Sequence, residues 1–374
     1  MALNKKDIKA YNNTRIPLVN KSVVCHAPWQ SINFTQNGDA TVCCYNKDYV
    51  LGTYPTHSLH DMWFGDIAKR LRAEMRQNPL PDGCQNCALQ IQSENYASVH
   101  ARHYDFHSDH PMKHWIKKVK NYSKQRKYLA YPRVMEFELS NTCNLECVMC
   151  NGYFSSSIRK NREGLPPMKM VFDEAFVEQL NEFIPHLTDA KFLGGEPFLI
   201  PIYQKIWEKI IELNPKCTLH ITTNATLISD KNWEVLKQLK TVVIVSIDSL
   251  NPATYLKIRK GASWENVSDN IQKLHKYTKE KKTDLNFTIC PMTINWEEMP
   301  EIIQYGITNE IYVYFNTVFF PENLSLMNID KELAIDIIRN YENFELLGKG
   351  FYFEYNKKQL IGLINLIKHW HSII

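Results

Sequence analysis

No apolar run in this 374-residue sequence reaches the roughly 20 residues that cross a bilayer, so a membrane-spanning role is not expected. The opening Met1-Ala2-Leu3-Asn4-Lys5-Lys6 leads into polar sequence without the apolar core of a secretory signal, and the expectation is a cytoplasmic protein. Low-complexity tracts and tandem repeats are absent, which sets aside repeat arrays and compositionally biased segments. Charge of one sign is scarce as well: 44 basic and 40 acidic residues leave +4, weak grounds for an anionic partner. What remains is 44% apolar content, enough for a sizeable core, over a length that suggests two to three domains.

Cysteine is where the sequence is specific. Cys143, Cys147 and Cys150 lie in Asn141-Thr142-Cys143-Asn144-Leu145-Glu146-Cys147-Val148-Met149-Cys150, and no further cysteine follows before Cys217. A cubane iron-sulfur cluster takes four thiolates, so three from one loop leave one iron without a protein ligand. An open metal position is a place for chemistry, as it is in catalytic zinc sites. Structural zinc is the alternative reading of a thiol triplet, but it lacks the second pair or the histidines that zinc modules use.

Phe192-Leu193-Gly194-Gly195-Glu196-Pro197-Phe198 follows a short apolar run, and Ile221-Thr222-Thr223-Asn224 and Val245-Ser246-Ile247-Asp248 close two more. With these residues the chain resembles the radical S-adenosylmethionine (SAM) enzymes. The resemblance implies that SAM chelates the open iron of a 4Fe-4S cluster, is cleaved reductively, and yields a 5′-deoxyadenosyl radical that abstracts hydrogen. It also implies an electron donor such as flavodoxin or ferredoxin. Gly194 and Gly195 would let backbone approach the cofactor's ammonium, with Glu196 as acceptor. Ser246 and Asp248 would hold ribose or amino-acid atoms, and Arg259 suits the carboxylate through its forked donors. Two positions depart from the family pattern. Met149 stands where an aromatic residue usually packs on adenine, and Asn224-Ala225 replaces a frequent Asn-Gly.

Toward the N-terminus, Cys25, Gly38, Cys43 and the later Cys84-Gln85-Asn86-Cys87 resemble the auxiliary-cluster segments called SPASM and twitch. Trp29, Ser58-Leu59-His60-Asp61-Met62-Trp63 and Leu71-Arg72 share the likeness. Those segments usually follow the barrel; here the segment precedes it. Cys25, Cys43, Cys84 and Cys87 make four ligands, enough to close a second 4Fe-4S cluster with protein thiolates. Cys44 competes with Cys43, which the glycine spacing favours. A zinc ribbon is the alternative. Disulfides are disfavoured, because such pairs beside a radical-enzyme triad belong in a reducing compartment.

Cys44, Cys217 and Cys290 remain. Cys290 ends the strand-like run 285–290, where barrel catalytic residues project, and a thiol there is a tentative hydrogen donor to a substrate radical. Its bland reading is a small buried residue, as for Cys217. Lys113, Lys117, Lys118, Lys120, Lys124, Arg126, Lys127 and Arg133 form a basic stretch that reads as a solvated linker, with nucleic acid the less favoured partner. His100, His103, His107, His110 and His114 would stripe a continuous helix, but Pro111 argues against continuity; metal binding and substrate contact both stay open.

Apolar runs at 133–140, 189–194, 218–223, 241–248, 285–290 and 310–319 read as six strands, with helix-period segments at 172–186, 202–213, 231–239 and 264–281. The expected fold is α/β, a partial (β/α)6 radical SAM barrel. A small cysteine-rich auxiliary-cluster domain with its linker at 1–128 precedes the barrel at 129–324, and a helical extension at 325–374 follows. The last helix's apolar stripe would close the barrel's open side or pack on the N-terminal domain, with a dimer contact as runner-up. The expected function is hydrogen abstraction from a substrate carbon, an oxidoreductase or maturase acting on a peptide or protein by oxidation, cross-linking or epimerisation. Sugar or aminoglycoside dehydrogenation or epimerisation is the alternative. An iron-sulfur electron carrier or scaffold is the alternative of another class; it would need none of the cofactor-holding residues.

Overall fold

Runs rich in Val, Ile, Phe and Thr become strands, and in this computed structural model they join a single sheet. The structure describes residues 3–17, 19–77, 80–107 and 130–373. The basic residues from Lys113 to Lys127, with His110 and His114, lie outside the described residues. Three strands come from the N-terminal third: β1 (Ser31–Phe34), β2 (Asp39–Thr41) and β3 (Gly52–Thr53). Six follow: β4 (Val134–Phe137), β5 (Asp189–Phe192), β6 (Thr218–Thr223), β7 (Lys240–Ser246), β8 (Leu285–Ile289) and β9 (Tyr312–Phe315). Their spatial order is β3-β2-β1-β4-β5-β6-β7-β8-β9, with β4 to β9 all parallel.

The N-terminal strands are not a separate layer. β1 pairs parallel with β4, Ser31 opposite Val134 and Phe34 opposite Phe137, so the sheet runs across the boundary expected near 128. The ladder continues through Arg133 N to Gln30 O at 2.9 Å and Glu138 N to Phe34 O at 2.8 Å. Phe34, Phe137 and Phe192 stack along one face with centroids 5.9 and 5.1 Å apart, and such pairs add specificity beyond apolar burial. This continuity fixes the N-terminal cysteines relative to the barrel.

Helices cover the outer face. Pro201–Leu213 opens with proline at its first position and buries Ile202, Tyr203, Ile206, Trp207 and Ile210. Asp230–Gln238 starts with a capping box between Ser229 and Asn232, and Trp264–Lys281 with a Ser263 cap. The helix expected at 172–186 is shorter, Glu174–Gln179 followed by two 3-10 turns, with Pro185 in the second.

The opposite faces of β4 to β6 carry charge. Glu136 is opposite Lys191, and Lys191 opposite His220, so one row of titratable side chains crosses three strands. The 3-10 helix His100–Asp105 lies against this inner face. The partial barrel therefore encloses a polar lumen. The C-terminal helix Phe351–Trp370 covers the edge of β9: Asn356 Oδ1 accepts from Val313 N at 3.0 Å, and Asn356 Nδ2 donates to Ile311 O at 2.9 Å. It also packs on the N-terminal region, where a Cβ on Gly362 would lie 2.0 Å from Asn95 Oδ1. Among the described residues, no helix is long and apolar enough to cross a membrane.

Candidate iron-sulfur and cofactor site

The loop after β4 carries Cys143, Cys147 and Cys150, and two neighbours clamp it. Gly195 N donates to Ser140 O at 3.0 Å and Glu196 N to Thr142 O at 2.7 Å; Glu146 N and Val148 N donate to Lys260 O and Ile258 O at 2.9 and 3.0 Å. A Cβ on Gly194, which has φ +102°, would meet Ser140 O at 2.7 Å, and one on Gly195 would meet Thr142 O at 2.1 Å. The two glycines are thus needed first for contact with the triad loop itself.

Sulfur spacing separates cluster from single ion. Four thiolates on one zinc, with Zn–S of about 2.3 Å, lie about 3.8 Å apart. Among the described residues, no three of these cysteines have sulfurs mutually within 4.8 Å, so neither set is gathered for one ion. The thiols nevertheless neighbour one another: Cys147 and Cys143 push Cys150 up, and Cys43, Cys87 and Cys84 push Cys25 up. Burial is the larger cause throughout, raising Cys143 to about 11 and Cys150 to about 12. Such buried thiols become thiolates when a metal supplies the compensating charge. Both sets fit a multi-iron group.

Glu196 does less toward a ligand than expected. It is fully buried, and its Oε1 accepts from Thr223 Oγ1 at 2.8 Å and Phe198 N at 3.1 Å, while Oε2 accepts from Asn224 N at 2.7 Å. Its carboxylate ties the glycine loop to the end of β6. Asp248, expected to hold ribose or amino-acid atoms, and Arg259, expected at the carboxylate, engage each other: Arg259 Nε is 2.7 Å from Asp248 Oδ2, without the alignment of a hydrogen bond. Asp248 Oδ1 also accepts from Cys290 N at 2.7 Å, and Arg259 Nη1 lies 3.6 Å from Cys147 Sγ. Asn224 Nδ2 donates to Asn144 Oδ1 at 3.0 Å and lies 4.0 Å from Cys143 Sγ. Ala225 takes φ +56°, at a cost of about 1–2 kcal/mol that glycine would not incur. Ser246 ends β7, partly exposed. Met149 and Cys290 pack together on Ile258, Met292, Val318 and Leu324.

The structure also gathers Cys25, Cys43, Cys84 and Cys87. Asn46 spans two of them, its N 3.4 Å from Cys43 Sγ and its Nδ2 3.3 Å from Cys84 Sγ, while Ala27 N is 3.4 Å from Cys25 Sγ. Backbone N–H groups of Ala101 and His100 serve Cys87. Cys44 points elsewhere, 3.6 Å from His100 Nε2. Cys217 is buried, as expected of a core residue.

The lumen between the two sets holds residues that motif reading passed over. Glu136 Oε1 accepts from Tyr104 OH at 2.8 Å and Lys191 Nζ at 2.9 Å; Glu138 Oε2 accepts from Lys47 Nζ at 2.9 Å. The available signal was charge at alternate positions of otherwise apolar strands, Val134-Met135-Glu136-Phe137-Glu138 and Asp189-Ala190-Lys191-Phe192. Tyr45 is 42% exposed, yet burial dominates its ionisation and Cys44, Cys87, Cys290 and Cys43 all act on it. His103 likewise stays accessible while burial holds its pKa well below the usual value. His107 is drawn toward Asp189, 3.5 Å away, so the described histidines form no single stripe.

A family model of the radical SAM superfamily matches residues 137–306, and one of an iron-sulfur cluster-binding domain, SPASM, matches residues 25–88. The chain is similar to a probable GTP 3′,8-cyclase of Methanocaldococcus jannaschii, 27% identical over 230 residues that cover 58% of this chain and 74% of the cyclase. It is also similar to the GTP 3′,8-cyclase of Limosilactobacillus fermentum, 26% identical over 259 residues, 64% of this chain and 74% of that one. Among solved structures, native anSMEcpe with bound AdoMet has TM-score 0.42 at 20% identity, covering 55% of this chain and 59% of that one. Streptococcus suis SuiB bound to precursor peptide SuiA has TM-score 0.40 at 20% identity, covering 65% and 54%. The chain spans under two thirds of the length of these two structures.

Proposed function

This chain belongs to the radical SAM superfamily and carries an N-terminal SPASM-type iron-sulfur domain, and from that premise we propose that it oxidises a carbon of a peptide or protein substrate held in the polar lumen. When bound, the SAM cluster and SAM supply a hydrogen-abstracting 5′-deoxyadenosyl radical, and the auxiliary cluster supplies an electron acceptor. Cys143, Cys147 and Cys150 would hold the first group and Cys25, Cys43, Cys84 and Cys87 the second.

The observation that carries this reading is the pair of thiol sets flanking one lumen. Tyr45 feels Cys43, Cys87 and Cys290, and Cys290 feels Cys147 and Cys150. Burial keeps the Cys290 thiol protonated, the form that can return a hydrogen atom if the outcome is epimerisation. Gly194 and Gly195 would bring backbone to the SAM ammonium; Met149, Asn224 and Ser246 would border SAM, braced by Glu196 and the Asp248–Arg259 pair.

Charge in the lumen bears on substrate. Lys191 pairs with Glu136 and Lys47 with Glu138, each at 2.9 Å. A wall with its lysines neutralised suits an uncharged polar group better than a polyphosphate, so the cyclase activity named for the curated relatives is not favoured here. The same wall supports a hydroxylated sugar as second reading.

Anaerobic reconstitution tests the assignment. The expected load is about eight irons per chain, of which about four leave with 5′-deoxyadenosine formation when the triad is changed to alanine. Zinc in place of iron, or SAM cleavage that survives triple substitution, overturns it. Where a neighbouring reading frame encodes a short peptide, its incubation with the reconstituted chain, followed by mass spectrometry, is expected to show loss of two hydrogens. Turnover of a nucleotide sugar instead would select the second reading.

A further inference from the structure

Once Cys43 faces the four-thiol set, Cys44 is left on the lumen side. Its Sγ, a His100 ring nitrogen and a Glu136 carboxylate oxygen all lie within 4.8 Å of one another, the one such group among the described residues. Cys44 Sγ and His100 Nε2 are 3.6 Å apart. A tetrahedral zinc, with Zn–S of about 2.3 Å and Zn–N of about 2.0–2.1 Å, holds its sulfur and nitrogen ligands at about that separation. We propose that Cys44, His100 and Glu136 form a third metal site, for one divalent ion of the zinc type, with a fourth position open to the lumen for an oxygen or nitrogen of the substrate.

The three donors come from three separately anchored elements. Cys44 follows β2, and its N–H donates to Glu136 Oε2 at 3.2 Å. His100 begins a 3-10 helix held by the buried Arg15–Asp105 pair, with Arg15 Nε 2.8 Å from Asp105 Oδ2. Glu136 is fixed on β4, and both Tyr104 and Lys191 donate to its Oε1, which leaves Oε2 as the oxygen on the Cys44 side. Donors on the far oxygen of a ligating carboxylate orient it, as outer partners of metal ligands do. A thiolate and a carboxylate would balance the charge of a divalent ion. Three mixed ligands with one open position is the pattern of a catalytic metal, whereas structural zinc closes all four.

The site differs from the four-thiol set in the chemistry it selects. A lone ion needs its donors close together, which Cys44, His100 and Glu136 satisfy and the cluster cysteines do not. It does not rest on the reaction proposed above, only on Cys43 rather than Cys44 serving the auxiliary cluster.

The test loads the iron-sulfur-reconstituted full chain with one equivalent of zinc, desalts it, and counts both metals. The expected result is about one zinc beside the full iron complement, with X-ray absorption showing one sulfur at about 2.3 Å and the remaining ligands nitrogen or oxygen. His100→Ala and Cys44→Ser should each lower zinc at least fivefold while iron and 5′-deoxyadenosine formation persist. Retained iron shows that a variant is folded, and Glu136→Gln is the third arm should either lose iron. No zinc on the wild-type chain, or zinc unchanged in the variants, overturns the site. Zinc with four sulfurs would place it in the auxiliary set and overturn the cluster reading as well, whereas loss of SAM cleavage alone would strike only the proposed reaction.

Discussion

Arg259 Nε lies 2.7 Å from Asp248 Oδ2, with the two side chains 11% and 0% exposed. The pair connects the two ends of the candidate site. Through Nη1, Arg259 reaches Cys147 Sγ at 3.6 Å, and through Oδ1, Asp248 receives Cys290 N at 2.7 Å. Asp248 takes φ +29°, a conformation that these contacts hold in place.

Arg259→Met should therefore cost stability and shift redox behaviour together. Removing one partner of a buried pair leaves an uncompensated carboxylate, at about 3–5 kcal/mol. Loss of a cationic donor beside Cys147 should lower the reduction potential of a cluster bound there. Denaturant unfolding and an anaerobic redox titration read the two effects, and no change in either would refute the linking role.

Gly195→Ala should displace the triad loop. The new Cβ would lie 2.1 Å from Thr142 O, a backbone atom that no rotamer change can move away. Iron at the triad and 5′-deoxyadenosine formation are expected to fall together. Normal iron content would show that the loop tolerates the shift.

Glu196 should make stability depend on pH. Burial pushes its carboxyl from 4.5 up to about 7. The folded chain keeps this proton where the unfolded chain has lost it, so the contribution is fully present below pH 4.5 and is lost as pH rises through 7. The fall is on the order of 3 kcal/mol. Urea unfolding of the SAM-free protein across that window should show the decline, and Glu196→Gln should flatten it; an equal slope in the variant would remove Glu196 as the cause.

Cys43→Ala and Cys44→Ala should part company. The first is expected to lose about four irons and the second none, because Cys43 shares Asn46 with Cys84 while Cys44 faces His100. Iron analysis after reconstitution decides this, and the reverse order would exchange the two roles.

Asn356→Leu should loosen the C-terminal helix from β9. It strands Val313 N–H and Ile311 C=O, at about 1–3 kcal/mol for each buried group. Hydrogen exchange at Val313 should rise; protection equal to wild type would mean that other contacts cover the edge.

Much of this was legible in the sequence because local rules carried it. Strand periodicity located β4 to β9 within a few residues, while the Gly38–Cys43 spacing favoured Cys43 and left Cys44 as its competitor. The extension of the sheet by β1 was not legible, since pairing Ser31 with Val134 crosses about a hundred residues and leaves no periodic trace. The partnership of Asp248 with Arg259 was hidden for another reason: each looked like a ligand-facing group, and only their proximity assigns them to each other.

By itself the sequence determined the thiol inventory, the order of strands and helices, and the glycines at the triad loop, because these depend on residue type and short spacing. The tertiary structure alone decided which thiols meet. The bend that follows β2 turns Cys43 toward Asn46 and the four-thiol set and Cys44 toward His100, so these neighbours in sequence serve different surroundings. It likewise decided that Glu136, Lys191, His100 and Tyr104 share one lumen, since charged groups from distant segments become a site only when folding removes the water between them.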